Sequence, residues 1–154
     1  MVDTAIASFV EGAVMTILAS RDGTFQPAIG RGVGTRCSTD RSLFDTMVSR
    51  AQWPRLLANL GPGAPLAVTF VKPDDYRTYQ VKGIVEALVP ADAADRDVTH
   101  AYHGRIRPVL AALGVTAGQI SFWLTDADLH RLRYRPTDVY VQTPGPRAGT
   151  RLEA

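Results

Sequence analysis

Short β-rich runs joined by tight turns constrain the fold of this chain more than any other feature of its sequence. The apolar run 13–20 is followed by Asp22-Gly23, a dipeptide typical of hairpin turns, so a return strand is predicted over residues 25–37. Further strands are predicted over residues 42–49, 64–71 and 76–89, and as two short strands around Thr125-Asp126. Strands connected by tight turns pair antiparallel. The sequence therefore predicts a mostly β fold with flanking helices, in which a small antiparallel sheet closes into a barrel.

Helical patterns occur in three segments that lie between the strands. Helices are predicted over residues 4–12, 51–61 and 91–113. Pro54 suits the first turn of the second helix, whereas Pro108 is expected to break or kink the third near its end. We predict a single domain over residues 1–142, followed by a loosely ordered tail, 143–154, that is rich in proline and glycine.

Charge and composition argue against several classes of protein. The net charge is only +2 and no run of basic residues forms a stripe, so nucleic acid is not an expected partner. No apolar run is long enough to span a membrane, and the N-terminal residues lack the basic start of a secretory signal. Cys37 is the only cysteine, which excludes an internal disulfide and favours a reducing compartment. A cytoplasmic location is expected.

The stretch AIGRGVGTR, residues 28–36, places glycine at every second position of a predicted strand. In a regular strand Gly30, Gly32 and Gly34 share one face with Arg36, while Arg31 lies on the other face. Two interpretations remain open. The glycines could serve barrel curvature or the close approach of another segment. Alternatively, a flat anionic ligand could lie against the bare backbone, and Gly32→Val would then block the ligand without unfolding the protein.

Three segments carry a resemblance to a known family. Residues 16–34 (TILASRDGTFQPAIGRGVG), 56–70 (LLANLGPGAPLAVTF) and 75–88 (DYRTYQVKGIVEAL) resemble, in pattern and order, the pyridoxamine 5′-phosphate oxidase-like family of FMN-binding split barrels. The resemblance implies a split β-barrel flavoprotein that is a homodimer, with FMN at the subunit interface. It further implies an oxidoreductase that acts on a small molecule. It assigns no catalytic residue, and no metal site is predicted.

The resemblance also implies a set of cofactor-binding residues. These are Arg31, Gly32, Arg36, Ser49, Arg50, Gln52, Trp53, Thr78 and Lys82. Arg31 and Arg50 are expected at the FMN phosphate, and Arg36, or Thr78 with Lys82, near the pyrimidine edge of the flavin. Arg31 and Arg36 are five residues apart, so they share a face only if a bulge intervenes.

Departures from the family pattern keep other functions open. Ala51 stands where the phosphate-binding cluster has a lysine, which favours a non-catalytic barrel that has lost flavin and serves as a binding or assembly module. A deazaflavin-binding or haem-binding relative is a further alternative, the latter through His100, His103 or His130. The arginine and histidine that hold pyridoxamine phosphate in the oxidase are not matched, so that substrate is not predicted. Cys37 is interpreted as a packed core thiol.

Overall fold

The structure is a computed structural model, and residues 1–152 of the 154 are described. It contains four helices and six strands in these residues. In chain order they are α1 (Thr4–Val10), β1 (Met15–Arg21), β2 (Pro27–Cys37), β3 (Phe44–Ser49), α2 (Pro54–Ala58), β4 (Pro65–Val71), β5 (Thr78–Pro90), α3 (Ala93–Ala112), α4 (Ala117–Ser121) and β6 (Leu129–Val141). None of these helices is long and apolar enough to cross a membrane.

The six strands form one closed antiparallel barrel. Their order around the barrel is β1-β2-β3-β6-β5-β4, and every neighbouring pair is antiparallel. Alternate residues of β1 and β4 point inward and are buried, among them Leu18, Val68 and Phe70. The predicted fold class, a small antiparallel barrel with flanking helices, is confirmed. It arises because period-two apolar patterns and short turns leave few other ways to bury the strands.

A bulge in β2 decides which of its side chains face outward. The pairing register between β2 and β3 shifts between Gly32 and Thr35, and Gly34 adopts a φ of +126°. That value lies in a region that side chains rarely adopt, so a glycine is needed at this position. Because the bulge adds one residue, Arg31 and Arg36 both lie on the outer face of the barrel, as their ion-pair and aromatic partners show.

The glycine face of β2 is packed against the protein's own side chains. A Cβ at Gly32 would lie 2.8 Å from Cγ2 of Thr46 and 2.9 Å from Cγ2 of Thr16, and a Cβ at Gly30 would lie 2.7 Å from Cγ of Trp53. The face is therefore not an open surface for a planar ligand, and that interpretation of the glycines is wrong. Close packing and strand curvature account for them. Gly32 lies against Thr16 and Thr46, and Gly32→Val is expected to destabilise the barrel.

Three predictions near the C-terminal end need correction. The segment predicted as the first of two short strands forms α4 instead, because Thr116 and Gln119 make a capping box at its start. Strand β6 runs unbroken from Leu129 to Val141, with a register shift against β5 where Pro136 interrupts the hydrogen-bonding ladder. The tail returns along the end of β6, where the Leu152 amide donates to the Val139 carbonyl at 2.8 Å, so it is more ordered than predicted as far as residue 152.

The predicted helices differ mainly at their ends. The second helix is shorter than predicted, Pro54–Ala58, whereas α3 continues through Pro108 to Ala112. Pro108 is exposed near the last turns, and the helix tolerates it there. The N-terminal half of α3 is fixed to the barrel by Asp95, whose fully buried carboxylate contacts Arg36 at 2.7 Å and Arg131 at 3.2 Å.

A second buried carboxylate extends this ion-pair network along the barrel wall. Asp45 on β3 accepts hydrogen bonds from Arg133 at 2.7 Å and from Arg36 at 3.1 Å. Burial alone raises the pKa of Asp45, but the hydrogen bonds and charges of Arg133 and Arg36 outweigh burial and lower it below its usual value. The carboxylate is thus ionised at neutral pH, and Arg36 connects β2, β3 and α3.

Candidate functional site

A cleft of about 290 Å³ opens beside the start of β2. Its walls are the first residues of β2, the end of the β3–α2 loop and the first turn of α2. The lining residues are Pro27, Ala28, Ile29, Gln52, Trp53, Pro54, Arg55 and Leu56. We call this the β2–α2 cleft. It contains Gln52 and Trp53, two of the residues implicated by the sequence.

Two polar atoms of the cleft residues are buried without a partner. The side-chain amide of Gln52 donates to the Phe122 carbonyl, which leaves Oε1 of Gln52 as a buried acceptor with no donor in residues 1–152. The indole Nε1 of Trp53 is a buried donor that likewise has no acceptor in these residues. Leaving a buried polar group unpaired costs about 1–3 kcal/mol. Both unpaired atoms belong to residues that line the cleft.

The sequence fixes the loop between β3 and α2 through local hydrogen bonds. Ser49 is the last residue of β3. Its hydroxyl donates to the Ala127 carbonyl at 2.6 Å and accepts from the backbone N–H of Gln52 at 3.2 Å. Pro54 then occupies the first turn of α2, where the missing N–H costs nothing. Ser49 therefore positions Gln52 and Trp53, and its hydroxyl is already engaged.

Each cationic residue implicated by the sequence already has a partner in the described chain. The guanidinium of Arg31 stacks on the Trp123 ring, 4.7 Å from the ring centroid. Nζ of Lys82 lies 4.8 Å from the centroid of the Tyr140 ring. Nε of Arg50 bonds to Oδ2 of Asp128 at 2.8 Å in an exposed pair. Arg36 is held in the buried network by Asp45 and Asp95. Arg36 therefore links β2, β3 and α3 through its ion pairs.

The outer face of four adjacent strands connects the remaining candidates. Along one row of cross-strand partners, Ile29 lies beside Ala19, Ala19 beside Ala67, and Ala67 beside Lys82. In the next row Arg31 pairs with Ile17, whose neighbour on β4 is Thr69. Arg31 and Lys82 thus occupy opposite edges of one face, separated by three strand spacings of about 4.8 Å, or about 14 Å along the sheet.

Thr78 and Lys82 are not brought to the β2–α2 cleft within one chain. Both lie on β5, and the hydroxyl of Thr78 donates to the Tyr76 carbonyl at 2.8 Å. The structure groups Arg31, Ser49, Arg50, Gln52 and Trp53 near the junction of β2, the β3–α2 loop and α4. This division follows from the strand order, in which β1 and β4 separate β2 from β5.

Sequence reasoning missed three contributors to this region. Phe122 and Trp123 follow α4 and contact Gln52 and Arg31, but they lie in a segment predicted as a strand. Ile29 is 64% exposed beside the cleft. The signal that could have revealed α4 is the capping box that begins at Thr116, because a serine or threonine followed three residues later by glutamine marks a helix start.

Two of the three histidines and the single cysteine are at least partly buried. His130 is buried, and its Nδ1 lies 3.1 Å from the Asp128 carbonyl oxygen. Burial, together with the nearby charge of Arg107, lowers the pKa of His103. Burial and the nearby Glu11 raise the pKa of Cys37 to about 12, so its thiol is protonated at neutral pH. Across residues 1–152, no group of three or more His, Cys, Asp or Glu side chains is arranged to hold a metal ion.

Comparison with solved structures identifies the fold. A putative pyridoxamine 5′-phosphate oxidase from Lactobacillus delbrueckii superposes with a TM-score of 0.54 at 11% identity, covering 91% of this chain and 93% of that one. The chain has the split-barrel fold. The resemblance read from residues 16–34, 56–70 and 75–88 is confirmed at the level of the fold.

Other split barrels share the fold at similarly low identity. An F420 reductase superposes with a TM-score of 0.57 at 20% identity, covering 90% of this split barrel and 98% of that chain. HutZ, described as the haem storage protein from Vibrio cholerae, superposes with a TM-score of 0.54 at 13% identity. The match covers 90% of this chain and 93% of HutZ. No protein-family model and no curated protein sequence matches this chain.

Proposed function

We propose that this split barrel binds FMN and is an oxidoreductase acting on a small molecule, with the cofactor held between two copies of the chain. The observation that carries the proposal is that two residues lining the β2–α2 cleft, Gln52 and Trp53, each have a buried polar atom without a partner in the described chain. The putative pyridoxamine 5′-phosphate oxidase and the F420 reductase share the fold and support the proposal by analogy, while the argument itself depends on the site.

The groups on the cleft suit the phosphoribityl chain of FMN. A ribityl hydroxyl can donate to Oε1 of Gln52, and a phosphate oxygen can accept from Nε1 of Trp53. A cleft of about 290 Å³ would hold this chain, and Ile29 beside it would contact the ring. Bound FMN would supply hydride or electron transfer, while the protein supplies position and charge.

The residues of this chain would orient the cofactor and exclude water from it. Pro27 and Ile29 are apolar residues that line the cleft. Arg31, fixed by its stacking on Trp123, places a positive charge beside these residues. Positive charge near the ring favours transfer of electrons onto it, because the ring gains negative charge in that step.

A second copy of the chain would complete the site. The outer face of β1 and β4 carries the half-buried apolar residues Ile17, Ala19 and Ala67, whereas residues that point inward on these strands are fully buried. When two such faces pack about a two-fold axis parallel to the strands, β5 of the second copy lies over β2 of the first. Thr78 and Lys82 of the second copy would then approach Arg31 and Ile29.

Ile17→Arg tests this dimer. A guanidinium in the middle of the apolar face is expected to convert the dimer to a monomer, because an unpaired charge is not tolerated in the core of an interface. Light scattering after size-exclusion chromatography measures the mass of each variant. Glu86→Arg, at an exposed position on β5, is the control and should stay dimeric. A wild-type protein that is monomeric at micromolar concentration would contradict the dimer.

A non-catalytic binding module is the second candidate. Two observations support it. The cations implicated by the sequence already make ion pairs or cation–π contacts within the chain. Ala51 stands at the position of the expected lysine. A barrel that had lost its cofactor would be free to satisfy these cations internally. This candidate predicts that no flavin binds.

Spectroscopy and thermal unfolding separate the candidates. The visible spectrum of freshly purified protein should show flavin bands, and added FMN should raise the melting temperature, because a ligand that binds only the native state stabilises it by about 2.7 kcal/mol at one hundred times its Kd. F420 and haemin are titrated in parallel. A larger shift with F420 would assign a deazaflavin, a Soret band would assign haem, and no shift with any of the three would leave the binding module.

A further inference from the structure

One flank of α3 carries two polar side-chain atoms that are buried without a partner. His103 is a half-buried residue, and its ring nitrogen Nε2 is buried with no hydrogen-bond partner among residues 1–152. Thr99 is buried one helical turn earlier, and its hydroxyl oxygen also has no partner in this part of the chain. Residues four apart in a helix lie on the same face. The two groups are therefore neighbours, and neither of them pairs with the other.

This flank of α3 is turned away from β2. A Cβ at Gly34 on β2 would lie 3.2 Å from the carbonyl oxygen and 3.3 Å from Cγ1 of Val98, so Val98 marks the side of α3 that packs against β2. His103 follows Val98 by five residues, which places it about 140° around the helix. The acid whose charge acts on His103 is Asp126, in the segment 122–128 that joins α4 to β6. His103 thus lies on the side of α3 nearest this segment.

The segment 122–128 connects α3 to the β2–α2 cleft. On one side, Leu124 belongs to the same buried hydrophobic cluster as Ile106 of α3. On the other side, backbone carbonyls of the segment accept hydrogen bonds from the side chains of Gln52 and Ser49. A change in the packing of the segment on α3 would therefore reach the loop that forms one wall of the cleft.

A proton on His103 has no acceptor at this contact. The charged and titratable groups that act on the ring are Arg107 and His100 on α3 and Asp126 on the segment. Burial, followed by the charges of Arg107 and His100, lowers the pKa of His103, and Asp126 only partly opposes them. The ring is neutral at neutral pH. Protonation in acid makes both ring nitrogens donors, so Nε2 becomes a buried N–H that is unpaired, which is unfavourable.

We propose that protonation of His103 loosens the packing of segment 122–128 on α3, so that mildly acidic conditions disturb the β2–α2 cleft. The coupling does not depend on which ligand the cleft holds, and it goes beyond the proposed function. Its sign follows from the unfolded chain, in which a histidine takes up its proton near pH 6.5 or about that value. The folded protein binds the proton only at lower pH, so the free energy of unfolding falls as the pH decreases below about 6.5.

Urea unfolding at about pH 7.5 and about pH 5.5 tests the titration of His103. Between these conditions the equilibrium constant for unfolding should rise up to about tenfold more in the wild type than in His103→Gln, because the glutamine binds no proton. His100→Gln is the matched control, since it removes an exposed histidine three residues earlier on the same helix, and it should respond as the wild type does. An equal pH dependence of the wild type and His103→Gln would overturn the proposal.

NMR relaxation tests whether the proton reaches the segment, which a purely structural histidine would not affect. In the wild type and in His100→Gln, the heteronuclear NOE values of amides 122–128 should fall in acid, with the midpoint of the titration of the His103 ring. In His103→Gln they should stay constant over the same range. If these amides remain as rigid in acid as at neutral pH in the wild type, the coupling is wrong even where His103 titrates as expected.

Discussion

Asp95→Asn is expected to lower the free energy of unfolding by about 3 kcal/mol, since removing one partner of a buried ion pair leaves an uncompensated charge. The side chain of Asp95 is fully buried and contacts both Arg36 and Arg131. Asparagine keeps the shape and an acceptor for the Asp92 amide, but it cannot neutralise two guanidiniums. The arginines are partly exposed, with 31% and 23% of their side-chain surface accessible, which places the effect at the low end of the usual range.

Urea unfolding measures this loss, and an exposed ion pair provides the control. Glu86→Gln removes the carboxylate that pairs with Arg135 at 3.1 Å on the surface, where ion pairs contribute about 0–1 kcal/mol. The two variants remove the same charge in different surroundings. Equal stability losses for Asp95→Asn and Glu86→Gln would show that the buried network does not fix α3 to the barrel.

Gly32→Val is expected to destabilise the protein by about 2 kcal/mol or more, because additional carbon atoms in a packed interior force neighbouring side chains and backbone to move. The new Cβ would lie within 2.9 Å of both Thr16 and Thr46, and the two methyl groups of valine need further space. Thr46 cannot rotate freely, since its hydroxyl is 3.0 Å from Oγ1 of Thr35 and 3.2 Å from the Tyr134 hydroxyl.

The melting temperature measures this effect, and a glycine with free space around it serves as the control. Gly104 lies inside α3, and a Cβ there would meet no atom within 4 Å. Gly104→Ala should therefore stabilise the protein, by up to about 1 kcal/mol from helix propensity. A Gly32→Val variant as stable as the wild type would show that the barrel interior has room at this position.

The alternation of side chains along β2 does not by itself predict where its two arginines point. Strict alternation places Arg31 and Arg36 on opposite faces, and only the bulge at Gly34 brings both outward. The sequence suggested that glycines could allow a bulge there. It could not place the bulge, because strand register depends on how β2 pairs with β3 and not on β2 itself.

Some features of the candidate site could be predicted from the sequence, and others could not. Gln52 and Trp53 were implicated by resemblance, and the structure places both on the β2–α2 cleft. The engagement of Arg36 by Asp95, 59 residues away, and of Arg50 by Asp128 has no local signal. The position of Arg55 on the cleft likewise has no local signal, because it depends on how α2 packs beside β2.

Local sequence was enough to predict an antiparallel barrel, because apolar alternation buries one face of each strand and turn residues connect neighbouring strands. Only the folded structure shows that Gly30 and Gly32 pack against the protein's own side chains, that the segment before β6 is a helix, and which guanidiniums are neutralised. Those outcomes depend on contacts between residues far apart in the chain. Local propensity does not predict them, because the ion-pair partner of an arginine and the side chain that packs against a glycine come from distant segments of the chain.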